Sequence, residues 1–153
     1  VLSFMKYFLI RRRTMKYLLF GTFLGLAIAA PAQASPLTVE LEGVRSASGP
    51  LYVSVQTRAQ FMQAAAAAAS VVAAPTAGSH RFGYDLPAGE YAVSVWHDDN
   101  GNGRFDKDEN FMPLDGWAMT NGSALRGEPT FDQVRIVLGD ASADVRISMT
   151  YGR

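Results

Sequence analysis

The chain contains no cysteine. That excludes disulfides, thiol catalysis, cysteine-ligated zinc and a lipid-modified N-terminal cysteine. Histidine is nearly as scarce, with only His80 and His97, so a histidine-rich zinc centre is not expected. Beyond Lys16 the only lysine is Lys107, which confines Schiff-base chemistry to one position. No glycine-rich phosphate loop, dinucleotide fingerprint or G-x-S-x-G nucleophile elbow is present. After Ala30 no apolar run is long enough to span a bilayer. The formal net charge is +0, with no excess of either sign over the whole chain.

The distribution of charge is uneven. Lys6, Arg11, Arg12, Arg13 and Lys16 lie in the first 34 residues, which hold no acid, so residues 35–153 carry nine basic against fourteen acidic side chains, a net charge of −5. Six of those acids fall between Asp98 and Asp115. Such a local excess favours a cation and disfavours nucleic acid. Read from Met15, the N-terminus has a charge at Lys16, an apolar run from Leu18 to Ala30 and a small-x-small site at Ala32-Gln33-Ala34. This pattern predicts a secretory signal peptide cleaved near Ala34, with Val1 to Thr14 as upstream sequence. The expected division is a leader over 1–34 and a single domain over 35–153, periplasmic or secreted, monomeric or weakly associating.

Strict alternation of apolar and polar residues dominates that domain. Leu37, Val39 and Leu41 form one set, and Leu51, Val53 and Val55 another. Phe82, Tyr84 and Leu86, then Tyr91, Val93 and Val95, follow. Val134, Ile136 and Leu138, and finally Val145, Ile147, Met149 and Tyr151, complete the series. A period of two marks half-buried strands. With a further strand at 116–120, the pattern predicts an all-β fold. The expected architecture is an immunoglobulin-like or transthyretin-like antiparallel β-sandwich of about seven strands with one short helix. The helix is expected where Gln60-Phe61-Met62-Gln63 runs into Ala64 to Ala69, residues of high helix propensity. Leu86-Pro87-Ala88-Gly89 has the composition of a type I turn and predicts a hairpin between its flanking strands. Ser48-Gly49-Pro50 is expected to join the first two strands in the same way, and Gly139-Asp140 begins the last turn.

Between the fourth set and the next lies Asp98-Asp99-Asn100-Gly101-Asn102-Gly103-Arg104-Phe105-Asp106-Lys107-Asp108-Glu109. It matches the twelve-position calcium-loop pattern, with oxygen-bearing side chains at positions 1, 3, 5, 9 and 12 and glycine at 6. Asp98, Asn100 and Asn102 would supply side-chain oxygens. Arg104 would supply its backbone carbonyl, Asp106 would bind directly or through water, and Glu109 would close the site. Phe105 is expected to anchor the loop in a core. The residues before the loop read as a strand rather than an entering helix, so a loop inserted at a strand end is expected, not a full EF-hand. Asp108 and Asp115 are alternative closing carboxylates. The competing reading is a metal-free turn, because Asp, Asn and Gly are ordinary turn residues.

The run from Leu86 through Trp96-His97-Asp98 to Asp106, followed by Pro113-Leu114-Asp115-Gly116-Trp117, Thr120-Asn121-Gly122 and Pro129-Thr130-Phe131, resembles a family of small secreted bacterial proteins. That family is known only as a domain of unknown function. The resemblance covers most of residues 35–153. It implies a compact β-sandwich with one Asp/Asn-rich loop and no established activity. The family pattern carries Glu where Asp115 stands and does not include Glu109, which moves weight toward Asp115 as the closing ligand.

Three functions remain open on the sequence. The first is a non-enzymatic binding or structural module with a calcium-stabilised loop, whose partner is an envelope protein or a saccharide. The second is a metal-dependent hydrolase with His97 or Asp115 as base. The third is a metal-free adhesion or assembly domain. Trp96, Phe105, Phe111, Trp117 and Phe131 are candidates for an aromatic ligand groove, with core packing as the plainer alternative. Asn121-Gly122-Ser123 matches a glycosylation acceptor and is read as a turn.

Overall fold

The computed structural model describes residues 33–45 and 49–152, which lie within one compact unit, Pro31–Arg153. Of the expected leader only Gln33 and Ala34 are among the described residues, and Ser48 of the first expected turn lies outside them. Among the described residues no helix is long and apolar enough to cross a membrane.

Among the described residues eight strands form in the order β1 Ala34–Val44, β2 Leu51–Gln56, β3 Ala68–Val72, β4 Gly78–Pro87, β5 Gly89–His97, β6 Gly116–Met119, β7 Arg135–Leu138 and β8 Ala143–Ser148. A 3₁₀ turn at Gly122–Ala124 and one helical turn, α1 Phe131–Val134, complete the elements. One sheet runs β4-β1-β8. The other runs β3-β2-β5-β6, with β7 also paired to β5. Pairing is antiparallel except between β1 and β8. The alternating apolar residues of both sheets face one another. Leu37, Val39, Leu41, Leu51, Val53, Val55, Val93 and Leu138 are buried at the centre, with Tyr91, Val95 and Ile147 around them. The fold is therefore the expected all-β sandwich.

Three details differ from the sequence reading. Residues 57–67 form turns, not a helix, and the alanine run feeds β3, which pairs with β2 from Val55↔Ala68 to Leu51↔Val72. The Gln56 side-chain amide explains this locally. It donates to the carbonyls of Gln60, Gln63 and Ala65 at 3.0, 2.8 and 2.9 Å, groups that a helix would need for its own ladder. Met62 adopts φ 59°, which also interrupts helical geometry. The second difference concerns the turns. β4 and β5 belong to different sheets, as do β1 and β2, and β7 and β8. The expected hairpin at 86–89 is thus an arch between sheets, as is the connection through Gly49-Pro50. Third, β8 adds to β1 in parallel, which an antiparallel sandwich did not anticipate.

A second, smaller apolar cluster covers part of the outer face of the five-stranded sheet. Ala92, Phe131 and Val134 are buried there, with Phe61, Met119 and Leu125 against them. The capping box of α1 pairs Thr130 with Gln133, a reciprocal arrangement that fixes where the turn starts. At the loop end of the same sheet the cover is thinner, with Phe105 of the Asp98–Asp115 segment lying against Trp96.

Candidate functional site

The Asp98–Asp115 segment leaves the end of β5 and returns into β6. Asp98 is held at its root, because its N–H donates to the Pro50 carbonyl at 3.0 Å. Its side chain is 1% exposed. The carboxylate accepts from two backbone amides of its own loop. Oδ1 receives the Asn102 N–H at 3.1 Å and Oδ2 the Gly103 N–H at 2.8 Å. Gly101 and Gly103 take φ 72° and 75°, the left-handed region that glycine enters without penalty, and so the chain wraps around Asp98. Gly49 presses on the loop from the other side. A Cβ there would fall inside the Asp98 carbonyl.

The candidate ligands converge. The Asn100 and Asn102 side-chain amides both donate to Asp106 Oδ2, at 2.8 and 2.7 Å. Their carbonyl oxygens accept from the backbone of Asn102 and Arg104, at 3.0 and 2.8 Å. Each amide oxygen keeps a second lone pair. Asp98, Asn100, Asn102 and Asp106 therefore belong to one hydrogen-bonded turn, through which the Arg104 backbone also passes. Among the described residues no three His, Asp or Glu side chains come together as a metal-holding group. The donors here are two carboxylates plus amide and backbone oxygens, a set that suits a hard cation and offers nothing to a soft one.

Asp115 and Glu109 occupy different situations. Asp115 is 1% exposed. Its Oδ2 accepts from Trp96 Nε1 at 2.8 Å and from the Asp106 N–H at 3.1 Å, which ties the loop to the sheet. Glu109 is exposed and has no hydrogen bond to the turn. Its neighbour Asp108 organises a separate tight turn, accepting from Asn110 N and Met112 N, both at 2.8 Å. That turn carries Phe111 at φ 62° and 81% exposed. Phe105 does not enter the core. It is 41% exposed and meets Trp96 edge to face, with centroids 6.3 Å apart. The ring settles on the outer face of β5 instead.

His97 points inward. Its ring is fully buried, Nδ1 lies 2.7 Å from the Tyr151 hydroxyl, and Nε2 is buried without a hydrogen-bond partner. Burial pushes its pKa below the usual 6.5, against opposing pulls from Asp99, the Gly49 backbone, Asp115 and Asp98. The Arg45 N–H donates to the same hydroxyl at 2.9 Å. Tyr151 fills the space above Gly116, where a Cβ would collide with its ring. Sequence reasoning set Tyr91, Val93 and Val95 on one face of their strand, which leaves Trp96 on the other, where the structure has it. It missed Gly49 and Tyr151, because both act through contacts distant in sequence, and it missed the stacking of Tyr52 on Trp96. The cross-strand partnership behind that stack is not written in either strand alone.

None of the curated proteins and none of the solved structures matches the chain. A family model described as "Uncharacterized protein conserved in bacteria (DUF2141)" matches residues 39–146, more than half of the chain and the whole of the loop. The chain belongs to that family of uncharacterised bacterial proteins.

Proposed function

We propose that the protein is an exported, non-enzymatic binding module whose Asp98–Asp115 loop is stabilised by calcium. The observation that carries this reading is the convergence of Asn100 and Asn102 on Asp106, beside an Asp98 carboxylate fixed by two backbone amides. Loop positions 1, 3, 5 and 9 meet in one turn of this sequence, and turning the two Asn amides away from Asp106 would free its carboxylate and offer their oxygens to an ion, as the calcium pattern requires. Asp98, Asn100, Asn102, Asp106 and the Arg104 carbonyl would hold the ion. Asp115 is engaged by Trp96 and by the Asp106 backbone, so it links the ion's loop to the aromatic face of the sheet. Glu109 would close the site by swinging in from solvent.

Extracellular calcium modules bind with Kd on the order of 0.1–1 mM. An ion that binds only the folded state stabilises it by about 1.4 kcal/mol at ten times Kd. Export rests on the leader pattern of residues 1–34. A hydrolase with His97 as base is the weaker reading, because that imidazole has no accessible surface. Calorimetric titration with calcium, with magnesium as control, tests the proposal. Saturable binding that is lost in Asp98→Ala is the expected result, and no heat above dilution would remove the reading.

A further inference from the structure

The strand register sets one row of side chains across the five-stranded sheet. Val71 is opposite Tyr52, Tyr52 opposite Trp96, and Trp96 opposite Trp117. All lie on the face turned away from the core. The next row on that face is Ala69, Ser54, Ser94 and Met119. Neither row contains a charged residue.

The rings are fixed in place although they are only half-buried. Tyr52 and Trp96 stack with centroids 4.8 Å apart and planes 18° from parallel. Trp96 is pinned through its indole N–H to the buried Asp115 carboxylate. Trp117 packs over Gly122, where a Cβ would stand 3.5 Å from the indole. A half-exposed aromatic row that solvent would otherwise leave mobile is thus held rigid. Rigidity before binding lowers the entropic cost of binding.

We infer that this row is a binding face for a neutral oligosaccharide. A pyranose ring has an apolar C–H face that lies against aromatic carbon and a rim of hydroxyls that hydrogen-bonds to uncharged polar groups. Tyr52, Trp96 and Trp117 supply the first surface, and the Ser54 and Ser94 hydroxyls with the Trp117 indole supply the second. The charge pattern selects against the alternatives. The absence of a cation on both rows gives nothing to bind a nucleic acid or an acidic polysaccharide. The adjoining loop, with six acids between Asp98 and Asp115, repels both. A peptide strand would add to a sheet edge rather than to this face. The inference rests on the binding-module reading of the preceding subsection, but not on its calcium.

Trp96 and Trp117 are the only tryptophans, so indole emission reports on this face alone. The purified protein would be titrated with cello-, chito- and malto-oligosaccharides, following emission and heat together. The expected result is a saturable emission change with at least one of them, weakened about tenfold or more in Trp96→Phe and in Trp117→Ala. Each variant's melting temperature would be measured to show that it is folded. Absence of any saturable change with all three sugars would overturn the inference, as would binding that both variants retain. So would a dimer in sedimentation that Tyr52→Ser dissociates, because the face would then be covered by a second copy. Calcium binding is measured separately, so failure here and failure of the calcium proposal are distinguishable.

Discussion

The outer faces of the two sheets solve the same problem in opposite ways. On the three-stranded sheet, Glu40 stands between Arg81 and Arg146 in the register. Arg146 meets Glu40 at 2.9 Å and Glu42 at 3.3 Å, and Arg81 meets Asp144 at 3.7 Å. This is a solvated ladder of exposed ion pairs, stable in water. On the five-stranded sheet one end is roofed by Phe131, Val134 and their neighbours. The other end carries Tyr52, Trp96 and Trp117 half-exposed beside the acidic loop, with Phe105 of that loop edge-on to Trp96. Exposed apolar surface is costly to keep in water. Here it is held in order by a buried carboxylate, which points to use rather than to incomplete packing.

The comparison can be broken most forcefully at Asp115. Asp115→Ala leaves the Trp96 indole N–H and the Asp106 N–H without their acceptor, and it should cost about 3 kcal/mol in urea unfolding. Tryptophan emission should shift to the red as the ring comes loose. An unchanged emission maximum would mean that Asp115 does not order the aromatic face. Gly49→Ala comes next. Its new methyl group meets the Asp98 backbone, so the first inter-sheet connection or the loop must move, at a cost of about 2 kcal/mol. Full stability in this variant would show that the two loops are not packed as described.

A smaller effect is expected from pH. The folded His97 pKa lies below 6.5 because the ring is buried, so the unfolded chain takes up the proton first. That contribution to stability is complete above about pH 6.5 and is lost progressively as pH falls below it. Melting curves between about pH 8 and about pH 5 should therefore decline less steeply in His97→Gln. Parallel declines would rule out this linkage. The smallest effect belongs to the charged face. Arg146→Gln should leave the melting temperature unchanged within error, because the ion pairs it removes are exposed to solvent. A clear loss would mean that this face is more than a solvated surface.

Much of this arrangement can be read in the sequence, and the unread part has a physical pattern. Leu37-x-Val39-x-Leu41 and its counterparts identify strands because alternation follows from strand geometry. Alternation does not say which strand pairs with which. Pro87-Ala88-Gly89 therefore reads as a hairpin although it carries the chain from one sheet to the other. The alanine run reads as a helix on propensity alone. Tertiary context overrides that propensity when Gln56 takes the nearby carbonyls and β2 offers a free edge. In the loop, Asp98, Asn100, Asn102 and Asp106 meet in one turn because each lies within a few residues of the next. Position 8 of the pattern predicts Phe105 in the core. Its observed place against Trp96 depends on a strand whose outward face the loop sequence does not contain.

The calcium proposal is tested most directly by thermal unfolding of the protein in chelator and then across a calcium titration, with magnesium as control and Asp98→Ala in parallel. A saturable rise in melting temperature with calcium, absent with magnesium and abolished by Asp98→Ala, is the predicted result. Identical melting in chelator and in excess calcium would contradict it, and the loop would then be a metal-free turn held by its own asparagines.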